Sequence, residues 1–361
     1  MKNLEIQILL RLHGLSHVKE YLKLDVKEKD NLVLLKYRQL EADWTKTALL
    51  DCRGIILDRS KDWDIVSFPY NKFFNLGEGY CAQIDWDTAK FFEKADGSLV
   101  TVYWYNNTWN VQTSGTIDAD AQTNHATMTF KELFWKTVVM QYGSIEVFTK
   151  QLNKNYNYMF ELCTPWNIVV TPHEDYTLKL HGVRDMCTLN YVDIDTTTLI
   201  KVKQYDLSSV DEMLAQFEHM TWAEEGFIVV DANYNRAKCK NPKYVAVHHV
   251  STGVSPYAIV NVIKTNEVDE YLTYFKHKAE EINFLKENWD KERNRLQTIF
   301  DGLKTIDNQK EFALAVFASG LERCFTGIMF GLKNGKLETI HEGMCKLDNR
   351  FWYNRFHKTK N

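Results

Sequence analysis

The spacing of the apolar residues changes once along the chain, near residue 250, and that change limits the possible folds more than any other feature. Before it, short runs rich in β-branched and aromatic residues dominate. They are Leu32–Tyr37, Gly54–Asp58, Ile65–Phe68, Leu99–Tyr105, Trp109–Thr113, Tyr158–Cys163, Ile168–Thr171, Leu178–Val183 and Gly226–Val230. Helical spacing interrupts them over 1–22, over 130–153, where Phe130, Leu133, Phe134, Val138 and Tyr142 share a face, and over 208–219. From 267 to 300 the apolar residues fall instead at Val268, Leu272, Phe275, Ala279, Ile282, Leu285, Trp289, Leu296 and Ile299, with charges between them, and 308–332 also reads as helix. STGVSPY (251–257), with its Gly and Pro, is the boundary candidate. The expected class is α+β: a mixed domain over 1–250, then an all-helical C-terminal domain over 251–361. A chain of 361 residues, 45% of them apolar, fits two such cores better than one.

Bulk properties exclude several classes. The net charge is -4, and the acidic excess lies before residue 251, so a nucleic-acid partner would need a local patch. The seven cysteines are scattered without a C-x-x-C, which argues against a disulfide framework or a zinc site and for free thiols in a reducing compartment. Glu5 and Arg11 interrupt the apolar N-terminus, which reads as an amphipathic helix and not a signal peptide. No apolar run is long enough to span a bilayer, so a soluble cytoplasmic protein without a membrane partner is expected.

The chemistry centres on Phe92-Glu93-Lys94-Ala95-Asp96-Gly97-Ser98. Strand-like runs enter and leave it, and Asp-Gly is turn chemistry, so Lys94 is expected beside a tight turn between strands. A surface hairpin with a solvated lysine is the competing reading. Three further pieces follow in order: Glu161 in a strand-like run, Glu225-Gly226 ahead of a β-type run, and Lys238-Cys239-Lys240, two lysines on one face of a strand. A lysine nucleophile must shed its proton, and free lysine has a pKa of about 10.4. Burial and cationic neighbours such as Lys238 and Lys240 lower such a value, and the same cations offset phosphate charge in a transition state. Glu161 and Glu225 can hold a metal through water, or sugar hydroxyls. The set suits nucleotidyl transfer to a lysine.

The segment Lys94-x-Asp96-Gly97-Ser98 resembles motif I of the covalent nucleotidyltransferases. The Glu161 segment, LKLHGVRDM (178–186), EEGFIVV (224–230) and AKCKNPKYV (237–245) resemble motifs III, IIIa, IV and V. With CRGIILD (52–58) and FPYNKFFNLGE (68–78), the chain from about 30 to 250 is most similar to the phage RNA ligase 1 family, the tRNA-repair ligases of T-even phages. The resemblance implies an adenylyltransferase domain of antiparallel sheets flanked by helices, and an ATP-dependent RNA ligase assisted by Mg²⁺, with Mn²⁺ able to substitute. Lys94 would take AMP. Tyr37, Arg53 and Lys72 would contact the phosphates or the adenosine, and Phe74 would pack near the base. Glu161 would bind the ribose, Glu225 would serve the metal or the sealing steps, and Lys238 and Lys240 would hold phosphates. Asp96, Gly97, Ser98, Gly226 and Tyr244 also fall on family positions. The implied partners are RNA ends, on single-stranded RNA or a nicked tRNA loop. A monomer in the cytoplasm is expected, that of the host if a phage encodes the chain. Ser114 stands where the family commonly has a lysine, which puts one phosphate contact in doubt. Asp269 is the nearest candidate for a C-terminal metal-linked acid, against a default reading as a solvated helix residue. A DNA ligase, a GTP-using capping-type guanylyltransferase and a non-catalytic RNA-binding protein are the alternatives.

Other signals carry less. Gly77–Ala82 matches a G-x-G-x-x-A string without the βαβ context of a dinucleotide site, and no G-x-x-x-x-G-K-[ST] occurs. His248-His249 has no ligand partners at useful spacing. The tail Asn349–Lys358 mixes cations with aromatics, as single-stranded RNA binding would require. A last helix with buried aromatics and solvated charges is the preferred reading there.

Overall fold

The computed structural model describes residues 3–39, 41–123, 128–194, 198–245, 257, 259–274 and 276–358. The chain divides into two compact units, Met1–Val247 and His248–Asn361. Residues 251–256 of the boundary candidate and His248-His249 lie outside the described residues.

In chain order the first unit runs α1 (Glu5–Leu22), β1 (Leu24–Lys29), β2 (Leu32–Tyr37), α2 (Ala48–Asp51), β3 (Arg53–Asp58), β4 (Asp64–Ser67), β5 (Phe74–Asn75), β6 (Lys90–Glu93), β7 (Ser98–Tyr105) and β8 (Thr108–Thr113). It continues with α3 (Phe130–Tyr142), α4 (Ile145–Thr149), β9 (Tyr156–Cys163), β10 (Thr177–Asp185), β11 (Tyr191–Val192), β12 (Gln204–Tyr205), α5 (Val210–His219), β13 (Gly226–Val230) and β14 (Arg236–Lys240). The strands form three sheets, ordered β1-β2-β3-β4, β12-β6-β13-β14-β5 and β11-β10-β9-β7-β8. Among the described residues the strand pairings within them are antiparallel apart from β14 with β5.

Each sheet buries one face under helices, and strand alternation decides what the other face carries. Ile6, Leu10 and Val18 of α1 pack with Val33, Leu35, Ile55 and Leu57 of the first sheet. Met213 of α5 packs with Phe91, Phe227, Val229 and Cys239 of the second. Phe134 and Phe148 of α3 and α4 pack with Val100, Val102, Phe160 and Leu162 of the third. The residues between these apolar positions, among them Ile228, Lys238, Glu161 and His181, are left for a pocket.

Several boundaries differ from expectation. The helix expected over 130–153 stops at Gly143, whose φ of 84 ends α3, and Ser144 caps a separate α4 through Val147 N. Charged β1 (LDVKEK) went unrecognised because only Leu24 of it is buried and its period is masked by solvated residues. Ile168–Thr171, expected as a strand, forms none.

The second unit is helical: Ile259–Lys264, Val268–Tyr274, Ala279–Leu303, Gln309–Ala318, Arg323–Lys333, Ile340–Cys345 and Asn349–Lys358. The stretch of helical periodicity over 267–300 contains a 3₁₀ turn at Lys276–Lys278, and the helical stretch over 308–332 is interrupted between Ala318 and Arg323. Trp289, Leu296, Phe312, Phe325, Trp352 and Phe356 build its core. In the tail, Trp352 and Phe356 are buried and Arg355 is ion-paired with Glu292 and Glu322, so that segment is used for packing. No helix among the described residues is long and apolar enough to cross a membrane.

Candidate active site

Lys94 lies at a crossing between sheets. β6 ends at Glu93 and β7 begins at Ser98, but the two strands belong to different sheets. Lys94 thus stands between strands as expected, but the hairpin of the competing reading does not form: Lys94–Gly97 carries the chain from one sheet to the other. Gly97 is required there by close approach, since a Cβ would stand 2.5 Å from Leu162 O and 3.0 Å from Cys163 Sγ. Buried Asp96 ties the crossing down. Its Oδ2 accepts from Val170 N (3.0 Å) and Thr171 N (2.5 Å), and its Oδ1 accepts from Tyr244 Oη (3.0 Å). Those two amides are what a strand at Ile168–Thr171 would have needed for its ladder. Ser98 Oγ accepts from Asn167 Nδ2 at 3.0 Å. Lys94 N donates to Gly226 O at 2.9 Å, and Gly226, at φ 130, packs against the Cys239 carbonyl where a side chain would not fit.

The Lys94 amine contacts the Glu225 carboxylate, with side chains 19% and 7% exposed. Burial pushes the Glu225 carboxyl up, while the Lys94 and Lys240 charges pull it back. The sequence anticipated cations around Lys94; the structure sets a carboxylate directly against it. Lys238 is the cation with a displaced titration. Burial, then the charges of Lys72, Arg53, Lys94 and Lys240, hold its amine well below the usual lysine range. Lys238 and Arg53 flank the Phe73 ring at 5.2 and 5.3 Å, and Arg53 Nη1 is enclosed without a hydrogen-bond partner. Among the described residues neither forms an ion pair, so two cations face the pocket without a counter-charge. Lys72 stands 5.0 to 5.3 Å from the Phe74, Trp44 and Tyr37 rings, an aromatic cage beside them.

The opposite wall comes from β9 and β10. Glu161 Oε2 lies 3.3 Å from His181 Nε2, without hydrogen-bond geometry. The Tyr70 hydroxyl donates to His181 O (2.6 Å) and meets His181 Nδ1 at 3.1 Å, and the two rings stack at 5.3 Å. Burial pushes the Tyr70 phenol up to about 12. Glu93 pairs with Lys179 at 2.6 Å. Together the walls enclose a pocket of about 690 Å³ lined by Arg53, Tyr70, Phe73, Glu93, Lys94, Glu161, His181, Ile228, Arg236 and Lys238, among others. That is the size of a small-molecule site.

Of the residues singled out in the sequence, Lys94, Gly97, Glu161, Arg53 and Lys238 line this pocket. Glu225 meets Lys94 from behind, and Asp96, Ser98, Gly226 and Tyr244 hold the crossing. Tyr37, Lys72 and Phe74 form the cage. Ser114 sits by Gly54, where a Cβ would be 2.9 Å from Ser114 Cα. Asp269 is exposed on a helix of the second unit, and no group of three metal-ligating side chains occurs among the described residues. Tyr70, Phe73, His181 and Arg236 were not singled out. The first three lie in segments already marked, FPYNKFF and LKLHGVRDM; Arg236 continues the alternation of Lys238 and Lys240 by one step.

A family model described as RNA ligase matches residues 51–244, more than half of the chain. The chain belongs to this RNA ligase family. An RNA ligase of Rhodothermus phage RM378 is 27% identical over 350 residues, covering 78% of this chain and 79% of its own. A protein of Autographa californica nuclear polyhedrosis virus, whose name joins a polynucleotide kinase to an RNA ligase, is 28% identical over 76% of this ligase and 42% of its own length. Among solved structures, an archaeal ATP-dependent RNA ligase aligns over 88% of this chain and 83% of its own, with a TM-score of 0.49 and 12% identity.

Proposed function

We propose that this RNA ligase seals a 5′-phosphate to a 3′-hydroxyl in three steps, with ATP as adenylyl donor and Lys94 as the nucleophile. The observation that carries the reading is the pair of cations without counter-charge, Arg53 and Lys238, lining the same pocket as an amine in contact with a carboxylate. An enclosed guanidinium nitrogen with no partner is a costly arrangement unless an anion arrives to pair with it.

In the first step the Lys94 Nζ lone pair forms a bond to the α-phosphorus of ATP. The bond to the β-phosphate oxygen breaks, and its electron pair leaves with pyrophosphate. Glu225, in contact with the amine and with its carboxyl pushed up by burial, receives the amine proton. Arg53, Lys238 and Lys240 offset the phosphate charge. In the second step a 5′-phosphate oxygen of RNA attacks the AMP phosphorus, and the N–P bond breaks with the proton returning to Lys94. In the third, a 3′-hydroxyl oxygen bonds to the 5′-phosphorus, the bridging P–O bond to AMP breaks, AMP leaves with its electron pair, and the hydroxyl proton passes to solvent. Glu161, on the facing wall, holds the ribose hydroxyls. Mg²⁺ (or Mn²⁺), when bound, would be held through water by carboxylates such as Glu161 or Glu225 and would supply charge neutralisation at the phosphates. The all-helical second unit supports RNA over duplex DNA, and we assign it the choice of RNA, such as a nicked tRNA loop.

Incubation with α-labelled ATP and Mg²⁺ should tag the protein covalently, and Lys94→Ala should remain untagged. Tagging of Lys94→Ala would remove the proposal. Tagging by GTP in place of ATP would point to a capping-type transferase, and preferred sealing of nicked duplex DNA over single-stranded RNA would overturn the substrate assignment.

A further inference from the structure

Arg236 is a charged group that the three steps above leave unused. Only 8% of it is exposed, yet it lines the pocket. Its guanidinium lies 4.0 Å from the Tyr191 ring and 4.8 Å from Tyr70, and Nη1 donates to Tyr234 O at 3.0 Å. No carboxylate pairs with it among the described residues. The nearby Asp231 carboxylate is already taken up by Asn233 N, Asn235 N, Asn235 Nδ2 and Asp85 N. Arg236 is two residues before Lys238 and four before Lys240 on β14, while Ala237 and Cys239 between them are buried on the other face. Side chains two apart on a strand are roughly 6.6 Å from one another on the same face. The strand therefore presents three cations in a row, and the first of them, Arg236, lies over aromatic rings and lines the same pocket as Lys238.

We propose that Arg236 is a third phosphate-binding position, which takes a phosphate beyond those held by Lys238 and Lys240. The proposal rests on the ligase reading. The phosphate belongs either to the ATP tail or to the backbone of the RNA strand, and a planar two-pronged guanidinium suits both. A purely structural role, in which Arg236 serves only to pack Tyr70 and Tyr191, predicts no ligand dependence at all.

Wild type, Arg236→Met and Arg236→Lys would be compared for equilibrium binding of ATP and of a 5′-phosphorylated oligoribonucleotide across a salt series, with thermal melts as a check of folding. If the phosphate is ATP's, Arg236→Met weakens ATP binding about 10- to 150-fold and leaves RNA binding intact. If it is the strand's, ATP binding is unchanged, RNA binding falls by a similar factor, and its log–log salt slope drops by about 0.7. Arg236→Lys recovers part of either loss. In wild type, phenylglyoxal labelling of Arg236, mapped by mass spectrometry, is suppressed by the ligand that binds there, which tests the proposal even if the variants fail to fold. Unchanged binding of both ligands by folded Arg236→Met, or Arg236 labelling indifferent to both, overturns it. Failure of the Lys94 reading is separate, as it appears as wild type that never becomes tagged by ATP.

Discussion

Replacing Lys238 by methionine should make the ligand-free protein more stable and less able to hold ATP. Methionine nearly matches the lysine stem in length and is content among apolar neighbours. In the native pocket the amine has no ion pair, and burial and four cationic neighbours disfavour its charge. Replacing a buried ion pair by apolar side chains is often neutral or stabilising by roughly 1–4 kcal/mol; for this single amine, which lines the pocket, the lower half of that range applies. For a unit the size of Met1–Val247, that corresponds to a rise in Tm of about 2–10 °C. Loss of a charge-assisted contact to phosphate costs about 1.5–3 kcal/mol, or roughly 10- to 150-fold in Kd for ATP. The pH dependence has a definite sign. Below its lowered folded-state pKa, Lys238 is charged in both states. Between that value and the ordinary lysine range it is charged only when unfolded, so wild type gains stability as pH rises through that window. The methionine variant lacks that gain. Thermal unfolding at several pH values, with and without ATP, measures both effects. A variant that melts below wild type and binds ATP normally would refute the reasoning.

Three other expectations follow from the same geometry. In that pH window ATP binding should take up a proton through Lys238; calorimetry in buffers of different ionisation enthalpy detects it, and equal uptake by Lys238→Met would rule Lys238 out as the site. Glu225→Gln should slow tagging of Lys94 by roughly 100-fold or more, measured by rapid quench with labelled ATP; an unchanged rate would remove Glu225 as proton acceptor. Gly97→Ala should cost about 1–3 kcal/mol in denaturant unfolding, because its methyl would press on a strand backbone with no room to yield; a loss below about 0.5 kcal/mol, the size of an ordinary surface substitution, would argue against the close approach.

Strands whose alternation separates a helix-facing side from a pocket-facing side were legible in the sequence. Gly226–Val230 is the clearest case, and its boundaries match. Charged β1 was hidden because most of it is solvated. The helix ends at Gly143 and at Lys276–Lys278 were hidden because apolar spacing continues across the breaks. The chemical residues were legible where the ordered motifs mark them, but their mutual contacts were not. Nothing in the one-dimensional pattern places Glu225 against Lys94, because that contact depends on Lys94 bonding to Gly226 across neighbouring strands. Likewise the amides of Val170 and Thr171 turn to Asp96, seventy-odd residues earlier, and a local reading of apolar residues cannot foresee that.

The crossing at Lys94–Gly97 divides the pocket between two sheets with separate backbone ladders. Lys94 follows β6, and Lys238 and Lys240 lie on β14, so all three share one sheet, while Glu161 and His181 belong to another. A nucleotide gripped by its sugar from one side and its phosphates from the other is a rivet through both. Its arrival should tie the opening of the two sheets together, and its departure as AMP should release them to part.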